Sequence, residues 1–401
     1  MKLNKVLNNF AFLSFFFVFV FVVITNYVSI LFYDKVYTFN LIAVISVICT
    51  FFLIFQILFY LLKEINIIND VFLMLVIFFI FYIFAWSSLN FVSSNDYFVS
   101  LATVQSFELI ILWMALIFIG YNLNFDSKLK YTILFAIIIC FISTFIFVMK
   151  TNTLIIYTKL FFENEEVGVG YQYLSRAILI SIIFLSAYFV NNLLKNLLLI
   201  AGAIVLFTIG SRSEFFAFLF AMFFMLHIDF LKSKFSIKNL ILVFLVYFVS
   251  FFIVYKYSSI LLESRFSEIL DMSNSSSWSA REHSQILTID NIKFSPLLGV
   301  YGSHINDYGV RGYSHNILSA WVNYGFIGFA LYLVINVYSF VYSLSEYLKF
   351  REYKMELWLI LILSLIMLIL CFSSKAIFWP LPALVWGFLL KYKLQSRYYI
   401  G

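Results

Sequence analysis

The strongest constraint on this chain is its series of apolar runs, each long enough to cross a lipid bilayer as a helix. The runs Phe10 to Tyr33 and Leu41 to Leu62 both exceed the roughly 18 to 20 residues that the hydrocarbon core requires. Such runs fill most of the 401 residues, which are 64% hydrophobic and 11% charged, whereas soluble domains are roughly 25% charged. They lack the period-two alternation that is typical of outer-membrane barrels. We therefore expect an all-α polytopic membrane protein.

We predict about 12 transmembrane helices, with boundaries read from the apolar runs. The predicted spans are Phe10–Tyr33, Leu41–Leu62, Val71–Ser87, Leu101–Tyr121, Tyr131–Val148, Ala177–Val190, Leu193–Ile209, Phe215–Phe230, Leu240–Tyr255, Asn316–Val341, Leu357–Cys371 and Ile377–Leu390. Residues 1–255 would hold helices 1 to 9, and residues 256–315 one long polar loop. Residues 316–401 would hold helices 10 to 12 and a short tail. The first run lacks a small-residue cleavage site, so we interpret it as a retained span.

The distribution of basic residues predicts the orientation of these spans. If both termini are cytoplasmic, the inner segments hold 15 basic residues, whereas the short outer loops and their borders hold 6. This bias follows the positive-inside rule. The long polar loop would then lie outside, with 5 basic and 6 acidic residues. Its centre, Ser273 to Ser279, reads as flexible, and Pro296 to Gly302 reads as a turn-rich return toward the membrane.

Several other classes of function are not indicated by the sequence. The net charge of +6 reports orientation in a membrane protein, so we expect no nucleic-acid partner. Cys49, Cys140 and Cys371 lie in apolar runs without a CxxC pair, which supports neither disulfides nor a zinc site. There is no P-loop, dinucleotide fingerprint or HExxH motif. We expect no cofactor and no metal.

Four titratable residues that are far apart in the sequence share the predicted outer side: Arg176, Arg212, Arg281 and His315. Guanidinium groups bind phosphate bidentately and stay charged, so these arginines are candidates for holding a lipid pyrophosphate. The alternative for Arg176 is snorkelling or a local ion pair, for example with Glu166.

His315 precedes an apolar helix that Ser314 is predicted to cap. The positive end of the helix dipole would lower the pKa of His315 and keep the imidazole neutral, which suits a general base. The alternative is a histidine that merely caps the helix. His283 and His304 are rival candidates, and His227 is expected to be structural.

Some further residues are candidates for other roles. Glu108 interrupts an apolar run at about mid-depth and could pair with an arginine or relay protons. Tyr301, Tyr308, Tyr313 and Trp278 are available to stack on sugar rings. The first outer loop holds Asp34 beside Lys35, which does not reproduce the acidic residues that many polyprenyl-phosphate sugar transferases carry there.

Three short motifs in a shared order resemble the O-antigen ligase/O-antigen polymerase superfamily of bacterial envelope glycosyltransferases. The motifs are Gly210-Ser-Arg-Ser213, Arg281 followed by Ser295-Pro-Leu-Leu-Gly-Val-Tyr-Gly302, and Ser314-His-Asn-Ile-Leu-Ser-Ala-Trp-Val-Asn-Tyr-Gly-Phe-Ile-Gly328. The resemblance implies a GT-C-like enzyme of the bacterial inner membrane whose site faces the periplasm. It implies an undecaprenyl-pyrophosphate-linked glycan as donor and inverting, metal-independent transfer. The chain-length regulator and the flippase of the same pathway are candidate partners.

The resemblance also implies roles for particular residues. Arg212 and Arg281, with Arg176 as a further candidate, would bind the donor pyrophosphate and stabilise it as leaving group. His315 would activate or orient the acceptor hydroxyl. Glu214, Asn316, Tyr313 and Glu108 are candidates for supporting residues.

We expect a polysaccharide repeat-unit polymerase, whose acceptor is a lipid-linked repeat unit. The main alternative is an O-antigen ligase, which transfers the same donor glycan to lipid A core. The polymerase is favoured because the outer segment is nearly neutral, whereas an acceptor as anionic as lipid A core would be expected to select a basic patch. A flippase or other transporter is a third alternative, for which charges along a central cavity would be expected.

Overall fold

The structure is a computed structural model of the whole chain, and it describes most of the predicted spans. The described residues are 2–25, 41–62, 70–151, 171–189, 192–209, 211–232, 276–309, 314–350 and 354–398. The predicted span Leu240–Tyr255, the outer loop with Asp34, and Glu166 lie outside them.

The described residues form helices joined by short connections, and no strand occurs among them. The helices are α1 (Lys2–Phe15), α2 (Leu41–Leu62), α3 (Val71–Ser93), α4 (Tyr97–Asn122), α5 (Ser127–Thr151), α6 (Tyr171–Ala187), α7 (Asn192–Ile209), α8 (Arg212–Lys232), α9 (Ser276–Phe294), α10 (Ser303–Tyr308), α11 (Leu318–Lys349), α12 (Met355–Ser373) and α13 (Pro382–Tyr398). A π-helical turn, Phe16–Val20, continues the first helix.

Seven helices of the described part are long and apolar enough to cross a membrane: Asn4–Thr25, Leu41–Phe59, Val71–Ser93, Tyr97–Asn122, Ser127–Ile146, Leu318–Lys349 and Met355–Ser373. Large apolar side chains such as Phe51, Phe81 and Phe145 are more than 60% exposed on the outside of the bundle. Lipid can cover such side chains, whereas water would not. The α-helical membrane class is therefore confirmed, and the count of 12 and the cytoplasmic termini stay predictions.

Helix α4 lies at the centre of the bundle and packs against α2, α3 and α13. Its closest approach to α13 occurs between two glycines. A Cβ atom at Gly120 would lie 2.4 Å from the Leu384 carbonyl oxygen, and one at Gly387 would lie 2.4 Å from the Ile117 carbonyl oxygen. Small residues let two helix backbones approach closely, which is how membrane helices gain packing energy without a hydrophobic driving force.

Two buried lysines in the second half of α13 connect this helix to the rest of the bundle. Lys393 Nζ lies 3.1 Å from Asp70 Oδ2, just before α3, and donates to the Tyr338 hydroxyl at 2.8 Å. Lys391 Nζ donates to the Leu123 carbonyl oxygen at 2.6 Å, just after α4. Each ammonium is therefore paired with a group that offsets part of its desolvation.

The long helix α11 is interrupted at Gly325, which has φ 65° and ψ −175°. Its break leaves three carbonyl oxygens without their helical partners, and other groups donate to them. The Val322 oxygen accepts from Val300 N at 2.7 Å, the Asn323 oxygen from Trp86 Nε1 at 3.1 Å, and the Tyr324 oxygen from the Tyr82 hydroxyl at 2.8 Å. All the donors lie outside α11, so the tertiary structure supports the break.

The turn before α10 packs directly on this break. The Phe326 amide donates to the Leu297 carbonyl oxygen at 3.0 Å, and Trp321 Nε1 donates to the Pro296 oxygen at 2.7 Å. Gly299 has φ 71°, and a Cβ atom there would lie 2.3 Å from the Val322 oxygen. The predicted turn-rich return is therefore a tight turn that holds the two parts of α11 together.

Two predictions about local structure are wrong. The last helix begins at Pro382 rather than Ile377, because Pro380 and Pro382 cannot donate helical hydrogen bonds and Pro is favoured in the first turn. The serine-rich segment expected to be flexible enters helix α9 at Ser276. Serine has a weak helix propensity, and packing of this segment on α10 and α11 overrides it. One such contact is the hydrogen bond that the Tyr308 hydroxyl donates to the Ser284 backbone oxygen at 2.7 Å.

Candidate functional site

Ends of helices from distant parts of the sequence meet at one end of the bundle. Helix α12, near its last residue Ser373, packs among α6, α8 and α11, which all begin there. The titratable groups at these ends are Arg176 in α6, Arg212 and Glu214 in α8, His315 just before α11 and Lys375 just after α12. Arg281 of α9 joins them through its electrostatic interaction with His315 and Lys375.

Glu214 is the centre of this cluster and is 1% exposed. Its Oε1 lies 2.7 Å from Lys375 Nζ and 3.7 Å from Arg176 Nε. Its Oε2 accepts hydrogen bonds from the hydroxyls of Ser211 and Ser213, the latter at 2.7 Å. A buried carboxylate is costly unless it is paired and hydrogen-bonded, and this one is both.

The connection between α12 and α13 supplies Lys375 and holds it rigidly. Lys375 is 6% exposed, and its backbone amide donates to the Leu370 oxygen at 2.8 Å. Two residues on, the Ile377 amide donates to the Ser319 hydroxyl at 2.8 Å. The ring of Trp379 lies 5.8 Å from the guanidinium carbon of Arg176, within the range of a cation–π contact. This buried connection was predicted to be helix from Ile377 onward, so its part in the cluster was missed.

Lys375 interacts electrostatically with charged groups of both signs. Burial lowers its pKa, the carboxylate of Glu214 opposes that effect, and the cations Arg176 and Arg281 lower it further. The close contact with Glu214 favours the ammonium form. Lys375 is one of the 6 basic residues that the predicted orientation assigns to the short outer loops and their borders, and no role was predicted for it. Its position between an apolar span and two prolines was the available signal.

His315 is partly exposed to solvent and partly enclosed by neighbouring residues. Burial, followed by the positive charges of Arg281 and Lys375, lowers its pKa to about 4. The imidazole is therefore neutral near pH 7 and can accept a proton. The pKa of His315 is lowered, as predicted, but the causes are burial and two cations rather than the helix dipole.

The prediction that Ser314 caps α11 is wrong, because the cap position is Ile317 and it is Asn316 that accepts a hydrogen bond from the first amide of the helix. The Asn316 side-chain oxygen accepts from the Leu318 amide at 3.0 Å and from the Ser314 hydroxyl at 3.1 Å. Its backbone oxygen accepts from the Ser319 hydroxyl at 2.8 Å. An asparagine side-chain oxygen can accept a hydrogen bond from an amide two residues later and so stabilise the start of a helix. Because the same oxygen also binds Ser314, Asn316 fixes the chain on both sides of His315.

The other histidines occupy different surroundings. His304 is 2% exposed, contacts Gln105 Oε1 at 3.0 Å through Nε2, and packs against the ring of Phe378. Burial lowers its pKa to about 4. His283 is exposed on α9, and His227 Nδ1 lies 2.7 Å from the Phe223 oxygen within its own helix.

Two further sequence-predicted residues do not join the cluster, and the side chains of two more lie outside the described part of the chain. Glu108 lies on an exposed face of α4. Tyr301 is 8% exposed and its hydroxyl lies 3.0 Å from the Ser106 hydroxyl, so its ring is part of the core of the bundle. Tyr313 lies outside the described residues, as does the side chain of Trp278.

Within the described residues, no three or more His, Cys, Asp or Glu side chains form a group that could hold a metal ion. Comparison with protein-family models found no match to this chain, and a search of curated protein sequences found no similar protein.

Proposed function

We propose that this protein is a polysaccharide repeat-unit polymerase of the bacterial inner membrane. Its donor would be a glycan on undecaprenyl pyrophosphate, and its acceptor a hydroxyl of another lipid-linked repeat unit. One observation carries the proposal: Lys375 interacts with both Arg176 and Arg281, and a neutral His315 interacts with Arg281 and Lys375, at one end of a membrane-helix bundle. The predicted orientation would place that end outside the cell.

The chemistry of such a site follows from its charges. The acceptor hydroxyl attacks the anomeric carbon of the donor sugar, a new glycosidic C–O bond forms, and the bond to the pyrophosphate oxygen breaks. The neutral imidazole of His315 takes the proton that the hydroxyl loses. Negative charge that develops on the departing pyrophosphate is stabilised by the arginines, which remain charged and can bind phosphate oxygens bidentately.

The proposed donor also explains why the cluster lies at the ends of membrane helices. A lipid-linked pyrophosphate is held at the rim of the bilayer by its own polyprenyl tail. The polar helix α9 and the short helix α10 lie over the same end and contact α11. They supply the polar surface that sugars need, beside the apolar surface that the lipid needs.

An O-antigen ligase would use the same donor site and a different acceptor. The nearly neutral segment 256–315, with 5 basic and 6 acidic residues, favours the polymerase over an enzyme that binds anionic lipid A core.

The test is a strain deleted for this protein and complemented with wild type, Arg281→Ala or His315→Ala. Surface-glycan length on a gel is the readout, and membrane levels of each variant are measured in parallel. His283→Ala and Lys293→Ala are matched controls, because both residues are exposed on α9, the helix that carries Arg281.

A polymerase predicts single repeat units on the surface of the Arg281→Ala and His315→Ala strains and long chains with both controls. Loss of all attached glycan, with lipid-linked polymer accumulating, would identify the ligase instead. Long chains of wild-type length in both site variants would refute the proposed site.

A further inference from the structure

The structure places at the proposed phosphate site a cation, Lys375, for which no role was predicted from the sequence. Lys375 lies outside all three motifs of the sequence, in the buried connection between α12 and α13. Its side chain nevertheless reaches Glu214, the residue that follows the Gly210-Ser-Arg-Ser213 motif, and interacts with Arg281. The question is whether Lys375 only neutralises a buried carboxylate or also takes part in binding.

The hydrogen-bonding capacity of the ammonium favours binding. An ammonium has three N–H donors. Within the described part of the chain, Glu214 Oε1 is the one acceptor that Lys375 Nζ contacts. The carboxylate itself has further partners, Arg176 and the hydroxyls of Ser211 and Ser213. Lys375 therefore keeps donors available for a ligand, whereas both carboxylate oxygens of Glu214 already have partners.

The net charge of the cluster also supports a binding role for Lys375. The groups that interact with one another are the cations Arg176, Lys375 and Arg281, the carboxylate of Glu214, and the neutral His315. Three positive charges and one negative charge leave a net charge of +2 among these groups. A pyrophosphate esterified at both ends carries two negative charges near pH 7, one on each phosphate. Arg212 of the same cluster adds a further positive charge. The cluster is therefore positive overall, which suits a lipid pyrophosphate diester, and Lys375 supplies one of its positive charges.

We infer that Lys375 is a phosphate-binding residue of this site and that Glu214 is a positioning residue, which holds the ammonium toward the ligand. The inference rests on the proposed function for the identity of the ligand, a lipid-linked pyrophosphate. Arg176 is held in the same way, by Glu214 on one side and the ring of Trp379 on the other.

The experiment separates binding from simple neutralisation of Glu214. Full-length protein in detergent is titrated with undecaprenyl pyrophosphate, and with undecaprenol as the uncharged control. Thermal stability without ligand is measured on the same samples. The variants are Lys375→Met and the double variant Lys375→Met/Glu214→Gln. The matched control at the other end of the bundle is Lys393→Met and the double variant Lys393→Met/Asp70→Asn.

The double variant Lys375→Met/Glu214→Gln is decisive because it removes one charge of each sign. The net charge among the interacting groups stays at +2, and no buried carboxylate is left unpaired. We expect it to unfold near the wild-type temperature, while Lys375→Met alone unfolds earlier. We expect its affinity for undecaprenyl pyrophosphate to be about 10- to 100-fold weaker, which is the usual effect of losing a hydrogen bond to a charged group.

The control pair should behave differently. Lys393→Met should unfold at a lower temperature than the wild type, and Lys393→Met/Asp70→Asn should regain stability. Both should bind undecaprenyl pyrophosphate like the wild type.

Wild-type affinity in Lys375→Met/Glu214→Gln would overturn the inference, since Lys375 would then serve only to neutralise Glu214. Equal binding of undecaprenyl pyrophosphate and undecaprenol by the wild type would also overturn it. Normal pyrophosphate binding by a protein that transfers no glycan would refute the proposed function and leave the inference standing.

Discussion

Substitution of Gly325 by alanine tests the packing that joins the candidate site to the bundle. Gly325 has φ 65° and ψ −175°, a conformation that is essentially restricted to glycine. A Cβ atom there would lie 2.3 Å from the Leu297 carbonyl oxygen. Since that oxygen also accepts a hydrogen bond from the Phe326 amide, neither backbone can move away without losing the contact.

Gly309 offers a matched control with nearly the same backbone conformation. It has φ 79° and ψ 177°, and a Cβ atom there meets nothing within 4 Å. Gly309→Ala should therefore cost only the backbone strain, about 1–3 kcal/mol. Gly325→Ala should cost the same strain and about 1–3 kcal/mol more for the overlap with the Leu297 oxygen.

The measurement is thermal unfolding of the purified full-length variants in one detergent, followed by tryptophan fluorescence. We expect the order wild type, Gly309→Ala, Gly325→Ala, with Gly325→Ala unfolding a few degrees below Gly309→Ala. Equal midpoints for the two variants would refute the packing of the Pro296 to Gly302 turn on the break in α11, because the two glycines differ mainly in what surrounds them.

The remaining predictions concern pH, a buried ion pair and helix packing. If His315 is the base, transfer activity should hold from neutral pH down to about pH 5 and fall as the pH drops through about 4, where the ring is protonated; half-maximal activity near pH 6.5 would contradict this assignment. The depressed pKa of buried His304 contributes stability that is present above pH 6.5 and is lost as the pH falls toward 4, so His304→Gln should make the unfolding temperature less sensitive to pH in that window. Lys393→Met should destabilise the protein by about 3–5 kcal/mol by removing the ammonium beside the buried carboxylate of Asp70, and denaturation that is no easier than in wild type would count against the pair. Gly120→Val should lower the unfolding temperature more than a valine at an exposed helix position, because its Cβ would lie 2.4 Å from a backbone oxygen of α13.

The helices could largely be predicted from hydropathy, because a segment in lipid must satisfy its own backbone hydrogen bonds. The predicted span Leu41–Leu62 coincides with α2, and Leu193–Ile209 differs from α7 by one residue. Errors occurred where tertiary contacts decide the backbone. Leu381 lies in a buried connection although its neighbours are as apolar as those of a span. Gly325 interrupts a helix whose hydropathy is continuous.

The candidate site could be predicted only in part. The motifs singled out Arg212, Arg281 and His315, and Arg176 was assigned to the same outer side. The predicted alternative partner of Arg176 was Glu166, which lies outside the described residues, and the structure pairs Arg176 with Glu214. That pairing depends on which helices are neighbours, and apolar runs of similar composition carry little information about their neighbours.

The sequence by itself determined the class of the molecule, an α-helical membrane protein with its charged residues restricted to few positions. That much follows from the cost of placing polar groups in hydrocarbon, which is paid residue by residue. Only the tertiary structure decided which charges meet, because the rotation of each helix and the choice of its neighbours depend on packing between distant segments. Lys375 shows the difference: in the sequence it is one basic residue after an apolar run, and in the fold it is 2.7 Å from a buried carboxylate at the centre of the candidate site.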